Sequence, residues 1–137
     1  LTLCGGVPIG PQIGSLEHGA HIIVGTPGRV IDHLEKGRLS LADLTTLVLD
    51  EADRMLDMGF HDDIMSIFQK LPTEKQTLLF SATMPPKIRS LANNILINPV
   101  SISLAISKPA EGIQQRAFLA HDSQKIKLTQ HLLLYLY

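Results

Sequence analysis

The decisive stretch of the sequence is Leu47-Val48-Leu49-Asp50-Glu51-Ala52-Asp53, in which a short apolar run ends in three carboxylates within four positions. Apolar residues that follow Thr45 and Thr46 predict a buried β-strand. A strand that ends in acids delivers them to the carboxyl edge of a sheet, where open α/β folds bind their ligands. We therefore expect a ligand site to begin at Asp50.

The composition indicates a folded protein with no overall preference for polyanions. The chain has 137 residues, of which 45% are hydrophobic and 18% charged, as in an ordinary globular domain. Its formal net charge of -1 gives no global basic field, so a site for a polyanion must be local. No apolar run reaches the roughly 18 residues of a membrane span. We expect a cytoplasmic protein that does not enter a membrane.

Strand-like and helix-like segments alternate over residues 1–100. Strands are predicted at 1–4, 22–24, 47–50 and 76–80, and helices at 11–19, 27–36, 52–58, 60–71 and 85–98. Ile22-Ile23-Val24 is typical of a strand buried on both faces, and residues 100–104 alternate with serine as in an edge strand. This order implies parallel strands joined by right-handed crossovers in a three-layer α/β sandwich.

The second part of the chain differs from the first. Pro109 and Gly112, in a stretch without periodicity, predict a linker. Beyond it a strand is expected at 115–120, and a helix at 125–136 with Leu128, Leu132 and Leu136 on one face. The chain begins with Leu1 rather than Met and stops inside an apolar pattern, which favours a piece of a longer protein.

An apolar strand that ends in Asp-Glu suits hydrolysis of a nucleoside triphosphate. In P-loop nucleotidases the Asp holds Mg²⁺, usually through water, and the Glu polarises the attacking water. By itself, however, the dipeptide is more often a solvated strand end before an acidic helix. A metal-hydrolase site would also need histidine ligands at suitable spacing, and His33, His61 and His121 are scattered.

A second motif, Thr26-Pro27-Gly28-Arg29, opens a predicted helix. A helix N-terminus offers unpaired N–H groups and a positive dipole end, Gly28 lets a phosphate come close, and Arg29 adds a fork of donors. The motif either binds a phosphate or only caps the helix. Gly5-Gly6 is by default a turn.

These motifs together resemble the DEAD-box ATP-dependent RNA helicases. Thr26-Pro27-Gly28-Arg29, Asp50-Glu51-Ala52-Asp53 and Ser81-Ala82-Thr83 follow one another in the family's order, and Gly5-Gly6 and residues 53–60 extend the match. The bacterial RhlE-type members are the most similar. The resemblance implies an incomplete RecA-like (P-loop NTPase) three-layer α/β sandwich with a mostly parallel sheet. Residues 1–104 would be the C-terminal part of RecA-like domain 1, 105–112 a linker, and 113–137 the start of domain 2.

The resemblance also implies roles for the residues after the strands, with ATP and Mg²⁺ as ligands. Asp50 and Glu51 would be the metal-side carboxylates, with Mg²⁺ held by Asp50 through water and Glu51 as general base. Asp53 would contact ATP-site residues of the second domain. Ser81 and Thr83 would couple the nucleotide state to RNA-driven closure through hydrogen bonds that include the acidic motif.

The RNA-binding residues of the family correspond to Gly5, Gly6, Thr26, Pro27, Gly28 and Arg29. Contacts of this kind reach sugar and phosphate rather than base edges, so they imply little sequence specificity. The partner implied by the resemblance is therefore RNA, recognised mainly through its backbone.

The chain lacks the Gly-rich Lys-Thr loop, the adenine-reading glutamine motif and the arginine-finger motif of the family. Without that loop nothing cradles the β- and γ-phosphates, so we predict that this chain alone does not hydrolyse ATP although its parent does. Missing upstream strands would expose apolar sheet edges, which predicts either pairing between chains or the supply of the missing residues by another piece. The alternative is a non-enzymatic module that binds RNA or protein on the same scaffold, and the intact Glu51 argues against it.

Overall fold

The computed structural model describes residues 1–104, 112–113 and 116–135, and the chain forms two compact units, Leu1–Val100 and Ser101–Tyr137. Most of the predicted linker at 105–112 lies outside the described residues, as do Gln115 and Leu136 of the predicted second unit.

Strands and helices alternate along the first unit, as the sequence predicts. Their order is β1 (Thr2–Leu3), α1 (Gly10–Glu17), β2 (Val24–Gly25), α2 (Pro27–Glu35), β3 (Thr46–Leu49), α3 (Ala52–Asp57), α4 (His61–Phe68), β4 (Gln76–Leu79) and α5 (Pro86–Ile95). The second unit contains α6 (Asp122–Tyr135). The α/β class is therefore confirmed.

The described strands form two parallel pairs. In the first pair Thr2 lies opposite Val24 and Leu3 opposite Gly25. In the second, β3 and β4 run in register from the pair Thr46 and Gln76 to the pair Leu49 and Leu79. Among the described residues these pairs form separate two-stranded sheets, whereas the sequence pattern predicts one continuous sheet.

The main core lies between the β3–β4 pair and helices α4 and α5. Its buried members are Leu49, Ile64, Leu91 and Ile95, and Phe60, Phe68 and Leu79 pack against them. Ile88, Leu91 and Ile95 line one face of α5, which confirms the helical spacing read from the sequence. This core fixes β3 and β4 and thereby the residues that follow them.

The prediction that residues 22–24 form a strand buried on both faces is wrong. β2 spans only Val24–Gly25, and the Ile22 and Val24 side chains are 73% and 63% exposed. The physical reason is that, among the described strands, β2 pairs with β1 alone, while β2 and β3 line a shared, open apolar groove of about 440 Å³.

Four further expectations differ from the structure. Residues 100–104 and 116–120, all described, form no strand, and Val100, Ile102 and Leu104 are exposed. Helix α4 ends at Phe68 rather than Leu71, because the Lys70 and Leu71 N–H groups donate to carbonyls three residues back, in tighter turns that the sequence pattern does not reveal. In α2 the sequence predicts a buried stripe of Val30, Ile31 and Leu34, but these side chains are only half-buried, and the fully buried one is His33.

The described part of the chain contains no helix that is both long enough and apolar enough to cross a membrane.

Replacing Leu91 tests the core directly. The Leu91 side chain is fully buried, so Leu91→Ala should lower the free energy of unfolding by about 2–5 kcal/mol through lost burial and a cavity. Urea unfolding followed by circular dichroism measures this change. Ile97→Ala, at a position 84% exposed, is the control and should change the value by less than about 0.5 kcal/mol. Equal effects of the two substitutions would contradict this core.

Candidate functional site

The register of β3 and β4 brings two turns together at the carboxyl ends of these strands. The Phe80 N–H donates to the Leu49 carbonyl oxygen at 2.8 Å, and the Ala52 N–H donates to the Phe80 carbonyl oxygen at 3.0 Å. Ala52, which follows Asp50 and Glu51, is fully buried, so the chain turns inward directly after these two acids. The acidic turn, residues 50–53, therefore lies against the hydroxyl turn, residues 81–83.

Asp53 is the centre of this contact. One carboxylate oxygen accepts hydrogen bonds from the Thr83 backbone N–H at 2.9 Å and the Thr83 hydroxyl at 2.8 Å. The Asp53 N–H in turn donates to Ser81 Oγ at 3.2 Å, and the Ser81 hydroxyl donates to the Thr83 carbonyl oxygen at 2.7 Å. The structure thus joins Asp53, Ser81 and Thr83 in one hydrogen-bonded cluster.

The hydrogen bonds from Thr83 lower the pKa of the Asp53 carboxyl below 3.8, and further hydrogen bonds from Arg54 and Ser81 act in the same direction. Burial opposes this shift but does not cancel it. Asp53 is therefore an anion at neutral pH, and its carboxylate binds the hydroxyl turn.

Asp50 and Glu51 remain on the exposed side of the acidic turn. Asp50 Oδ1 accepts a hydrogen bond from the Glu51 N–H at 2.9 Å. Glu51 has a left-handed backbone, with φ 50° and ψ 45°, which is unfavourable for a residue with a Cβ atom. Its carboxylate lies 3.3 Å from Arg54 in an exposed ion pair. Among the described contacts, no hydrogen bond joins either side chain to Ser81 or Thr83.

The donor set at this turn suits Mg²⁺ held largely by other ligands. No group of three or more His, Cys, Asp or Glu side chains within the described ranges is arranged to hold a metal ion. Mg²⁺ usually keeps several waters and binds through one or two carboxylates plus substrate phosphates. An exposed Asp50 beside Glu51 fits such a site and does not fit a closed protein cage.

The predicted RNA-binding residues form a second cluster, which Arg29 joins. From α2, the Arg29 guanidinium donates to the Val7 carbonyl oxygen through Nη1 and Nη2, both at 3.4 Å, and to Gln12 Oε1 at 3.2 Å. Val7 directly follows Gly5-Gly6. The structure therefore brings the Gly5-Gly6 loop and the start of α2 together.

The backbone at this second cluster explains several residue choices. Gly6 has φ 77°, which favours glycine, and no described atom lies within 4 Å of a Cβ built on Gly5, Gly6 or Gly28. Thr26 is the N-cap of α2, as predicted, but its side chain makes no capping hydrogen bond. The first bonds of the helix run from the Arg29 and Val30 N–H groups to the Thr26 carbonyl. Pro27 is buried beneath this end.

Sequence reasoning missed Gln12 and His33, which hold the second cluster from below. Gln12 Nε2 donates to the Cys4 carbonyl oxygen at 3.1 Å, and His33 Nε2 lies 3.0 Å from Gln12 Oε1. Their signal in the sequence is weak. Arg29 and His33 are four residues apart and so share one face of α2, but this spacing does not reveal what they contact.

The fold and the acidic turn define a class, the RecA-like α/β domains. More particularly, residues 1–91 match the family model described as DEAD/DEAH box helicase, and the chain belongs to that family. It is 49% identical over 133 residues to the ATP-dependent RNA helicase DbpA of Escherichia coli (strain K12), covering 97% of this chain and 29% of the relative. The chain is also 45% identical over 134 residues to the DEAD-box ATP-dependent RNA helicase CshA of Bacillus licheniformis, and the match covers 97% of this chain and 28% of CshA.

Solved structures of the family share the fold. A DEAD box protein from the hyperthermophile Methanococcus jannaschii matches with a TM-score of 0.66 and 44% identity, over 71% of this chain and 27% of that one. The yeast DEAD-box splicing factor Prp28 matches with a TM-score of 0.66 and 40% identity, over 70% of this chain and 22% of the Prp28 chain. The RecA-like class is confirmed, and the chain spans less than a third of the length of these relatives. None of those named carries the RhlE name, so that finer assignment stays a prediction.

The pH dependence of stability tests the Asp53 cluster. Because the pKa of Asp53 is lowered on folding, its carboxylate stabilises the fold above about pH 3.8, and this contribution disappears as pH falls through the lower folded pKa. The stability difference between wild type and Asp53→Asn should therefore shrink over that acid range in urea unfolding. Asp57→Asn, at an exposed position in the same helix, is the control. If the difference in unfolding free energy between wild type and Asp53→Asn does not change with pH, the Asp53 carboxylate does not make these hydrogen bonds.

Proposed function

We propose that this chain is a segment of an ATP-dependent RNA helicase that couples ATP binding and hydrolysis to unwinding or remodelling of RNA duplexes. Its relatives DbpA and CshA are named as ATP-dependent RNA helicases, and it covers less than a third of each. The observation that carries the proposal is the Asp53–Ser81–Thr83 cluster directly beside the exposed Asp50 and Glu51. It connects a candidate hydrolytic turn to a second element that can respond to it.

In this proposal Glu51 is the general base for the water that attacks ATP, and Asp50 binds Mg²⁺ through water. When bound, Mg²⁺ would neutralise charge that develops on the β- and γ-phosphates. The exposure of both carboxylates leaves them accessible to these ligands. Asp53 would contact the second domain, and Ser81 and Thr83 would transmit the nucleotide state through the hydrogen bonds they make with Asp53.

The second cluster would bind the RNA backbone. Gly5, Gly6 and Gly28 leave space for a phosphate and sugar, while the start of α2 and Arg29 supply N–H donors. Thr26 and Pro27 set the direction of that helix end. Such contacts are local, which suits a chain with a net charge of -1.

The domain organisation and the location of the protein belong to the same proposal. Residues 1–104 are the C-terminal part of the first RecA-like domain, 105–112 the linker and 113–137 the start of the second domain. The protein acts in the cytoplasm without a membrane partner. A chain with these segments alone does not hydrolyse ATP, because its sequence contains no phosphate-binding loop.

A non-enzymatic module that binds RNA or protein is the second candidate function. It would have no use for a general base held in an unfavourable left-handed conformation, whereas such strain is common at functional sites. The two candidates differ in turnover, which can be measured.

The decisive substitution is Glu51→Gln in the full-length protein that carries this segment. Loss of the base should reduce RNA-stimulated ATPase by about 100-fold or more while RNA binding persists. The control is Glu74→Gln, the same substitution at an exposed position outside the acidic turn, and it should leave ATP turnover unchanged. The 137-residue chain alone should show no activity. If the 137-residue chain shows Mg²⁺-dependent ATPase activity that Glu51→Gln abolishes, the prediction that this chain alone is inactive is wrong. If the full-length protein shows no ATP turnover, the non-enzymatic binding module is favoured.

We also propose that the chain alone pairs with other chains through the free edges of β2 and β3. Val24 N–H and Thr26 N–H donate to the Leu1 and Leu3 carbonyl oxygens, so the backbone groups of Gly25 point towards the opposite edge. The Leu49 carbonyl oxygen accepts from the Phe80 N–H, directly after β4. The backbone groups of Val48, one residue earlier, therefore point away from β4. Both strands line the same apolar groove, and unpaired apolar edges favour association.

Sedimentation velocity over a range of chain concentrations tests this pairing. We expect concentration-dependent association of the wild type, and a predominantly monomeric V24K/V48K double variant because lysine at an edge opposes strand addition. Ile97→Lys, outside the groove, is the control and should still associate. A wild-type chain that stays monomeric at every concentration would contradict the proposal.

A further inference from the structure

Two polar side chains are buried beneath the second cluster. Gln12 on α1 is 5% exposed and His33 on α2 is fully buried, although neither is part of the predicted RNA surface. A buried amide or imidazole is unfavourable unless it is hydrogen-bonded. The hydrogen bonds of Gln12 and His33 therefore indicate which groups these two side chains hold in place.

The chemistry of the donors fixes the direction of each bond. A guanidinium has only donors, so the Gln12 atom 3.2 Å from Arg29 Nη1 is the amide oxygen. His33 Nε2, 3.0 Å from that same oxygen, must then donate and carry a proton. The Gln12 amide nitrogen donates in the opposite direction, to the Cys4 carbonyl. His33 is thus assigned as the Nε2–H tautomer, and its Nδ1 has no partner among the described residues.

The same surroundings keep the imidazole neutral. Burial is the main cause that lowers the pKa of His33 below 6.5, and the nearby Arg38, Arg29 and Lys36 charges lower it further, while Asp32 opposes them. His33 can therefore donate to Gln12 without placing another positive charge beside Arg29. Folding also becomes less favourable as pH falls below about 6.5, because protonation of His33 is easier in the unfolded chain.

We propose that Gln12 and His33 are positioning residues for the RNA backbone contact. Gln12 holds the Arg29 guanidinium against the loop that contains Gly5 and Gly6, and His33 holds the Gln12 amide in the orientation that allows this. The inference rests on the proposed RNA-binding function of Arg29 and the Gly5-Gly6 loop.

Pre-organisation is the physical benefit of this arrangement. A free arginine side chain loses rotamer freedom when it binds a phosphate, which weakens binding. Here Arg29 is fixed through Gln12 Oε1 and the Val7 carbonyl before any ligand arrives. Gln12 also bonds the carbonyl of Cys4, directly before Gly5, so a single amide fixes the loop and the guanidinium relative to each other.

A double-substitution cycle on the 137-residue chain tests the inference, with affinity for fluorescein-labelled oligouridylate measured by anisotropy at neutral pH and low salt. Arg29→Ala should weaken binding about tenfold, the effect of losing one charge-assisted contact. Gln12→Met, which keeps the shape but removes the acceptor, should weaken it about threefold or more. The Q12M/R29A variant should bind no more weakly than Arg29→Ala alone, because Gln12 acts through Arg29.

A second pair of variants provides the conservative rescue in case Gln12→Met does not fold. His33→Gln keeps an N–H donor and should retain wild-type affinity, whereas His33→Phe should lose as much as Gln12→Met. Nitrogen-15 spectra of the His33 ring should show the neutral Nε2–H tautomer in the wild type and a changed ring environment in Gln12→Met.

The possible failures are distinguishable. If the wild type does not bind the oligonucleotide, or Arg29→Ala leaves binding unchanged, the proposed RNA contact and this inference are both overturned. If Arg29→Ala weakens binding but Gln12→Met and His33→Phe do not, or their effects add to that of Arg29→Ala, only the positioning inference is overturned.

Discussion

In-register parallel pairing of β3 with β4 is the interaction on which the candidate site depends. It sets Leu49 beside Leu79, so the two strands end at the same level and the turns that follow them meet. A slip of one residue would reverse the faces of all side chains on one strand and remove Leu49 from the core. The packing of the β3–β4 pair on α4 and α5 opposes that slip. Hydrophobic burial therefore fixes the position of Asp53 relative to Thr83.

The two clusters use polar groups in different physical ways. At the acidic turn the carboxylates of Asp50 and Glu51 are exposed, and Asp50 Oδ1 bonds the neighbouring Glu51 N–H, whereas the Asp53 carboxylate binds the hydroxyl turn. Beneath the second cluster Gln12 and His33 are buried, and Gln12 bonds His33, Arg29 and the Cys4 carbonyl. In the proposed function, the first arrangement leaves the two carboxylates accessible to ligands, and the second fixes the proposed RNA contact before RNA binds.

Local sequence patterns were sufficient to predict the order of helices and strands in the first unit, but they also predicted strands at 100–104 and 116–120 that do not form, and they could not predict the details of burial. The spacing of Ile88, Leu91 and Ile95 identified α5 because a helix must bury one face. The apolar run at 22–24 predicted full burial, yet burial depends on neighbouring strands that the run does not encode. Likewise, the positions of Gln12 and His33 follow from packing between α1 and α2, and a single polar residue in a helix carries no sign of its partner.

The acidic turn and the hydroxyl turn are joined through Asp53 and Thr83. The most direct measurement is the amide ¹H and ¹⁵N chemical shift of Thr83 as a function of pH. Because the Thr83 N–H donates to the Asp53 carboxylate at 2.9 Å, its shift should follow the Asp53 titration, with a midpoint below 3.8, and this response should vanish in Asp53→Asn. A Thr83 amide that does not respond to pH in that range, or that responds equally in Asp53→Asn, would contradict the account.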